Sequence, residues 1–207
     1  MQTFILRQNI YKYRQLLDQE QDERARRMLI ELLAASLREL TLIEARGTGL
    51  QADINQVHAS ARRTIFRDQF ETSPQAYLLL DPRKGLHIVD INPAYAAATM
   101  TYCENVVGNL LFDVFPDNPY DPLADGVSNL YASLKRVVDS GTADLLPIQR
   151  YDIRNSDGIF VPRFWRTENS PILDTDGRLT YLLHHIADVT DICGNAKPPV
   201  ESPHSAE

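Results

Sequence analysis

Residues 178–190 read RLTYLLHHIADVT, following the turn DTDG at residues 174–177. A run this apolar, opened by Asp-Gly and rich in β-branched and aromatic residues, is a strand. Adjacent strand side chains point to opposite sheet faces, so the run needs cover on at least one side. Working back, FVPRFWRTENSPIL (160–173) and LLPIQRYDIR (145–154) are two more strands, joined by NSDG (155–158), which again ends in Asp-Gly. Three antiparallel strands therefore end in the polar triple Asp188-Val189-Thr190.

Further upstream, AYLLLDPRKGLHIVDIN (76–92) reads as two short strands around a Pro/Lys/Gly turn. Asn92 then Pro93 is an N-cap followed by the residue suited to the first helical position, opening an Ala-rich helix. Short turns broken by Gly108 and three prolines follow. ADGVSNLYASLKRVVDSG (124–141) is a longer amphipathic helix with Val127, Leu130, Leu134, Val137 and Val138 on one side, closed by Gly141. Two strands, several helices and three strands assemble most simply as an α+β unit: one five-stranded antiparallel sheet with helices across one face.

The first third has a helical period. Leu6, Ile10, Tyr13 and Leu17 form one face, and Leu29, Leu32, Leu33, Ser36, Leu37, Leu40 and Ile43 another. The polar DQEQDERARR between them fits one long helix or a two-helix hairpin. The hairpin is favoured, because a lone helix would leave its stripe in water. ARGTGL (45–50) is a helix stop, and Leu50, Ile54, Val57, Ala61 and Ile65 pattern a third helix. The expected organisation is a helical hairpin over 1–47, an amphipathic linker helix over 48–71, a sheet domain over 72–191 and a disordered tail over 192–207.

The totals limit the function classes. In 207 residues, 43% hydrophobic and 24% charged content is that of a soluble globular chain. The net charge of −7 argues against nucleic acid. Residues 1–47 carry eight Lys/Arg and seven Asp/Glu, leaving thirteen against twenty-one, so the acidity belongs to the later part. Cys103 and Cys193 read as free thiols in a reducing compartment. With no signal-like start and no run long enough to span a membrane, a cytoplasmic protein without membrane contact is expected.

The order of these words, with VDINPAYAAATM after the second strand, VVGNLLFDVFPDNP as connecting helices and a closing ADVT, resembles the PAS domain family over residues 66–191. The resemblance implies a sensory or interaction module that holds a small molecule between sheet and helices, or holds none, and that often dimerises through flanking helices. In the family a closing Asp-Ile/Val-Thr triple hands the signal on, so Asp188, Val189 and Thr190 are the coupling candidates. By similarity to the family's last strand, Leu182, His184 and Ile186 face inward and Leu183, His185 and Ala187 outward. The same alternation puts Arg163, Trp165, Thr167 and Asn169 inward, and Tyr151 completes the pocket candidates. Such a set suits a small-molecule pocket and equally a small polar cluster in a filled core.

A metal site is not expected, because His184 and His185 point to opposite faces. Haem is not expected either: family members that bind it use a histidine on the long helix, which has none here, leaving only His184 or His87. Flavin-binding LOV members carry a reactive cysteine just after the glycine of the connecting helices. Here Gly108 is followed by Asn109 and two leucines, and Cys103 precedes it, so no flavin adduct is expected. His58 lacks the acidic neighbour of a kinase phosphoacceptor, and no GxxxxGK[ST] loop occurs, so catalysis by this chain is not expected. Gly194, Asn195, Pro198 and Pro199 should stop any helix leaving Thr190. Output is then expected to run back through the N-terminal helices, most simply in a homodimer, with a histidine kinase or response regulator as possible partner. The alternatives are a ligand-free interaction platform and a detached input module acting in trans on a kinase.

Overall fold

A computed structural model describes residues 1–50 and 69–194. Helix α1 (Gln2–Gln19) and helix α2 (Glu23–Gly47) form the hairpin. The polar joint makes the turn: the Asp22 side chain caps α2 by accepting from Ala25 N at 2.9 Å. The Arg26 guanidinium donates to Leu17 O and Glu20 O, two carbonyls that the end of α1 leaves without a helical partner. Arg7–Glu44 and Gln2–Glu39 tie the other end. The most buried positions of α2 are Ala34, Ser36, Thr41 and Ala45, small residues that let backbones approach closely. Leu32, expected on the buried stripe, is exposed. The linker helix expected over 48–71 falls mostly outside the described residues.

The sheet contains strands β1 (Ala76–Leu80), β2 (Ile88–Ile91), β3 (Asp144–Leu145), β4 (Gln149–Arg150), β7 (Phe164–Leu173) and β8 (Leu179–Asp188). Its order is β2-β1-β8-β7-β3, with β4 also on β7 and every pairing antiparallel. Strands β5 (Ile153–Arg154) and β6 (Phe160–Val161) form a separate small hairpin. The sheet thus has the five positions expected, but the third and fourth strands are broken. Pro147 divides β3 from β4 and Pro162 divides β6 from β7, because proline has no N–H to give to a ladder.

Helices α3 (Pro93–Thr99), α4 (Cys103–Val106), α5 (Leu111–Val114) and α6 (Gly126–Ser140) connect β2 to β3. Asn92 caps α3 as expected: its Oδ1 accepts from Tyr95 N and from Tyr77 N, so the cap also fixes β1. Along α6, Val127, Leu130, Leu134 and Val137 are buried at alternating spacings of three and four. They share one buried cluster with Leu78, Leu80 and Leu182 of the sheet, each 0% exposed. Helix α7 (Thr190–Gly194) follows β8 directly, so residues 192–194, expected as tail, are helical.

The hairpin is joined to this core rather than tethered to it. Ala45 and Leu50 belong to the same buried cluster as the sheet. Leu50 N donates to Pro82 O and Gly85 N to Ala45 O, pinning the end of α2 to the β1–β2 turn. Gly49 makes this approach possible: its φ is +62°, and a Cβ there would lie 2.3 Å from Arg83 O. On the other side, Arg38 donates to Asp117 Oδ2 at 2.8 Å and to Ala124 O, while Asp117 Oδ1 accepts from Val127 N in the first turn of α6.

Candidate functional site

Between the inner sheet face and helices α3, α5 and α6 lies a cavity of about 30 Å³. Sheet residues Trp165, Thr167, His184 and Ile186, with Tyr151 from the segment between β4 and β5, line it from one side, and Tyr95, Leu111, Phe115 and Leu130 from the other. The strand period places the sheet residues. Along β8 the buried positions are Thr180, Leu182, His184 and Ile186, with every intervening residue less buried. Along β7 they are Trp165, Thr167 and Asn169.

Of the candidates read from sequence, five thus stand together around the cavity. Asn169 shares their face but lies beyond the lining, 0% exposed, its amide spanning His184 and Ser133. Arg163 differs. Its Nε lies 3.3 Å from Asp188 Oδ2, and it takes no part in the cavity. The alternation counted back from Trp165 fails there because β7 begins only at Phe164, after the break at Pro162. Arg163 instead joins the coupling triple. Within that triple Val189 is buried, Thr190 N and Oγ1 both donate to Asp188 Oδ1, and Thr190 Oγ1 accepts from Phe164 N at 3.0 Å.

The cavity wall is cross-linked by hydrogen bonds and ring contacts. Trp165 Nε1 donates to Tyr151 O at 2.8 Å, and Tyr151 Oη donates to Phe115 O at 2.5 Å, so the indole is bound through Tyr151 to the end of α5. Tyr95 packs edge-on to both Phe115 and His184, with ring centroids 6.0 and 5.9 Å apart. Burial pushes the His184 imidazolium down to about 3, with the neighbouring His185 adding to the effect. Burial likewise pushes the Tyr95 and Tyr151 phenols far up. The site presents neutral groups at every ordinary pH.

One row of the sheet carries more than its sequence suggests. Ile91, Leu78, His184, Asn169 and Asp144 are register partners in succession across β2, β1, β8, β7 and β3. His184 Nδ1 meets Asn169 Oδ1 at 2.7 Å, Asn169 Nδ2 donates to Ser133 Oγ at 2.7 Å, and Ser133 Oγ donates to Asp144 Oδ2 at 2.5 Å. Arg136 closes the series on Asp144 with two bonds of 2.9 and 2.8 Å. Its guanidinium holds the Asp144 carboxyl below the usual carboxylate range. Sequence reasoning missed Tyr95, Ser133, Asp144 and Arg136. The available signal was Ser133 itself, a hydroxyl between Leu130 and Leu134 on the apolar face of α6.

Among the described residues no group of three or more His, Cys, Asp and Glu is placed to hold a metal ion. No helix there is long and apolar enough to cross a membrane.

No protein-family model matches the chain, and no curated protein does. Solved structures do. A variant of RsLOV superposes with a TM-score of 0.50 at 15% identity, over 62% of this chain and 68% of that one. A light-oxygen-voltage domain studied with a flavin analogue gives 0.49 at 14%, over 66% and 93%. The PAS domain of nitrogen regulation protein NR(II) from Vibrio parahaemolyticus gives 0.44 at 18%, over 59% and 95%. Light-oxygen-voltage proteins among these neighbours lend the expectation against flavin no support, so it rests on this chain's own residues. At such identities the likeness concerns the fold, and with the strand order β2-β1-β8-β7-β3 under helices on one face it makes this chain a PAS-fold protein.

Proposed function

We propose that this chain is a sensory or regulatory PAS module of signal transduction, in which a small ligand in the cavity acts on the N-terminal helical hairpin. The observation that carries the reading is the double role of α6. Leu130 lines the cavity, while the next residue, Tyr131, donates from its Oη to Gly49 O at 2.9 Å at the end of the hairpin. Val127, one turn earlier, is capped by Asp117, which also holds Arg38 of α2. Displacing α6 by filling or emptying the cavity strains two contacts to the hairpin at once. The Asp188-Val189-Thr190 triple, tied to β7 through Phe164 and Arg163, offers a second exit into α7.

The cavity's size restricts what enters. A water needs roughly 10–15 Å³ of this kind of volume, and an engineered cavity of about 150 Å³ takes benzene. At about 30 Å³ there is room for one or two water-sized groups, less than a flavin or haem ring would need. The reading includes neither cofactor and assigns the chain no catalytic step. The same small volume favours a second reading, a ligand-free platform whose hairpin pairs with another copy or with a kinase or response regulator in the cytoplasm.

The two separate by experiment on the full chain. Ile186→Ala enlarges the cavity, and hydrogen exchange is followed in residues 38–47, with exposed Ile159→Ala as the control. The sensory reading expects faster exchange there in Ile186→Ala alone; equal protection in both variants removes the coupling on which it depends.

A further inference from the structure

We propose that Arg136, Asp144, Ser133 and Asn169 form a positioning relay that fixes the tautomer of His184, so that its Nε2 is a bare acceptor facing the cavity, and that the ligand is a small neutral molecule with an O–H or N–H donor. This deepens the sensory reading and rests on it for the ligand. The relay itself stands on geometry alone.

Its polarity follows from the exposed end inward. An ionised carboxylate only accepts, and Asp144 is held ionised by two hydrogen bonds from Arg136. The single Ser133 proton must therefore go to Asp144, leaving Ser133 Oγ to accept. The group of Asn169 that meets Ser133 is then its NH₂, and the amide oxygen is turned to His184. An amide oxygen cannot donate, so His184 Nδ1 carries the proton and Nε2 has the lone pair. Flipping the amide would demand a second proton from Ser133 or face two lone pairs at 2.5 Å.

What Nε2 meets completes the case. His184 is 5% exposed and lines the cavity with Tyr95 edge-on to its ring, and among the described residues its Nε2 finds no hydrogen-bond partner. Nε2 therefore opens on the cavity rather than on a protein partner, and a donor of matching size placed there gains a hydrogen bond in low-dielectric surroundings. No ionised side chain lines the cavity, so a charged ligand would be desolvated without compensation, whereas a neutral donor would not.

The test uses ¹⁵N-histidine-labelled full-length protein and two-bond ¹H–¹⁵N correlation spectra of His184. The wild type is expected to show one tautomer, with Nδ1 at the protonated and Nε2 at the bare-nitrogen shift; the opposite assignment overturns the relay. Ser133→Ala is expected to release the Asn169 amide and give averaged shifts, while Ser133→Thr restores the wild-type pattern. An unchanged Ser133→Ala spectrum overturns the relay as well, and the wild-type spectrum decides the tautomer however stable that variant is. Methanol is then titrated against xenon as probes of the cavity. Methanol is expected to move Nε2 toward the hydrogen-bonded shift, and xenon to perturb only the lining methyl groups. Xenon binding without a methanol effect overturns the ligand class but keeps the cavity as a site. If neither probe enters, the ligand part of the sensory reading falls while the tautomer result stands.

Discussion

The helical hairpin and the sheet core spend similar apolar patterns differently. In the core, Leu78 and Leu80 of β1 and Leu182 of β8 are all 0% exposed, in one buried cluster with the apolar side of α6. In the hairpin, Phe4 is 65%, Tyr11 61% and Met28 60% exposed, although the same regular spacing runs through both helices. A sheet strand has one inner face, and cover on that face settles it. Two helices packed only on each other bury narrow seams and leave the flanks of wider stripes in water. Only the inner end of the hairpin, from Arg38 to Leu50, is held as the core is held. The lesson is that patterning states what should be buried, while the supply of neighbours decides whether it is.

The sharpest blow to this contrast falls on the core. Trp165→Ala removes a 4% exposed indole and strands its partner carbonyl at Tyr151, so a loss of about 3–5 kcal/mol is expected in denaturant unfolding. An unchanged midpoint would mean that the core is no better packed than the hairpin. The pH dependence of the core comes next. His184 is held at about 3, below the value near 6.5 of an unfolded chain. Between those values the unfolded chain binds the extra proton, so this contribution is complete above about pH 6.5 and is lost as pH falls toward 3. Relative to His184→Gln, the wild type should lose about 2 kcal/mol between pH 7 and pH 5 in urea titrations. Parallel curves for the two proteins would place His184 in water.

At the seam between the two regions, Gly49→Ala imposes a left-handed φ on a side chain and drives its Cβ into Arg83 O. At least about 1–2 kcal/mol is expected, with faster exchange over residues 38–47. A neutral result would detach the hairpin from the core. The smallest effect belongs to the open flank. Phe4→Ser should change the melting of dilute protein by no more than about 0.5 kcal/mol. It should nevertheless weaken self-association measured by light scattering at rising concentration, if these flanks meet a second copy. Equal masses for wild type and variant at every concentration would remove the dimer from the proposal.

Much of the fold was legible because its signals are local. The period of two in RLTYLLHHIADVT separates buried His184 from half-buried His185, and in both Asp-Gly turns the Asp N–H donates to the side chain two residues before it, with the following Gly at positive φ. Asn92 and Pro93 marked the start of α3, and the polar joint of the hairpin held the cap Asp22 and the closing Arg26. Arg163 was misplaced because alternation was carried across Pro162, where the strand is interrupted. The cavity's far wall, Tyr95 and Phe115, comes from helices whose orientation no strand count predicts.

From the chain alone came the α+β order, the sheet with helices on one face and the alternation along each strand, while the resemblance to PAS domains supplied the phase that set Trp165, Thr167, Asn169, His184 and Ile186 inward. These depend on neighbours within a few residues, where covalent geometry fixes direction. The tertiary structure decided the rest: how little space the cavity keeps, that Gly49 lets α2 seat against Arg83, and that Ser133 and Asp144 reach His184 through Asn169. Those residues lie up to 51 positions apart in sequence, and no periodicity encodes a meeting that only packed layers bring about.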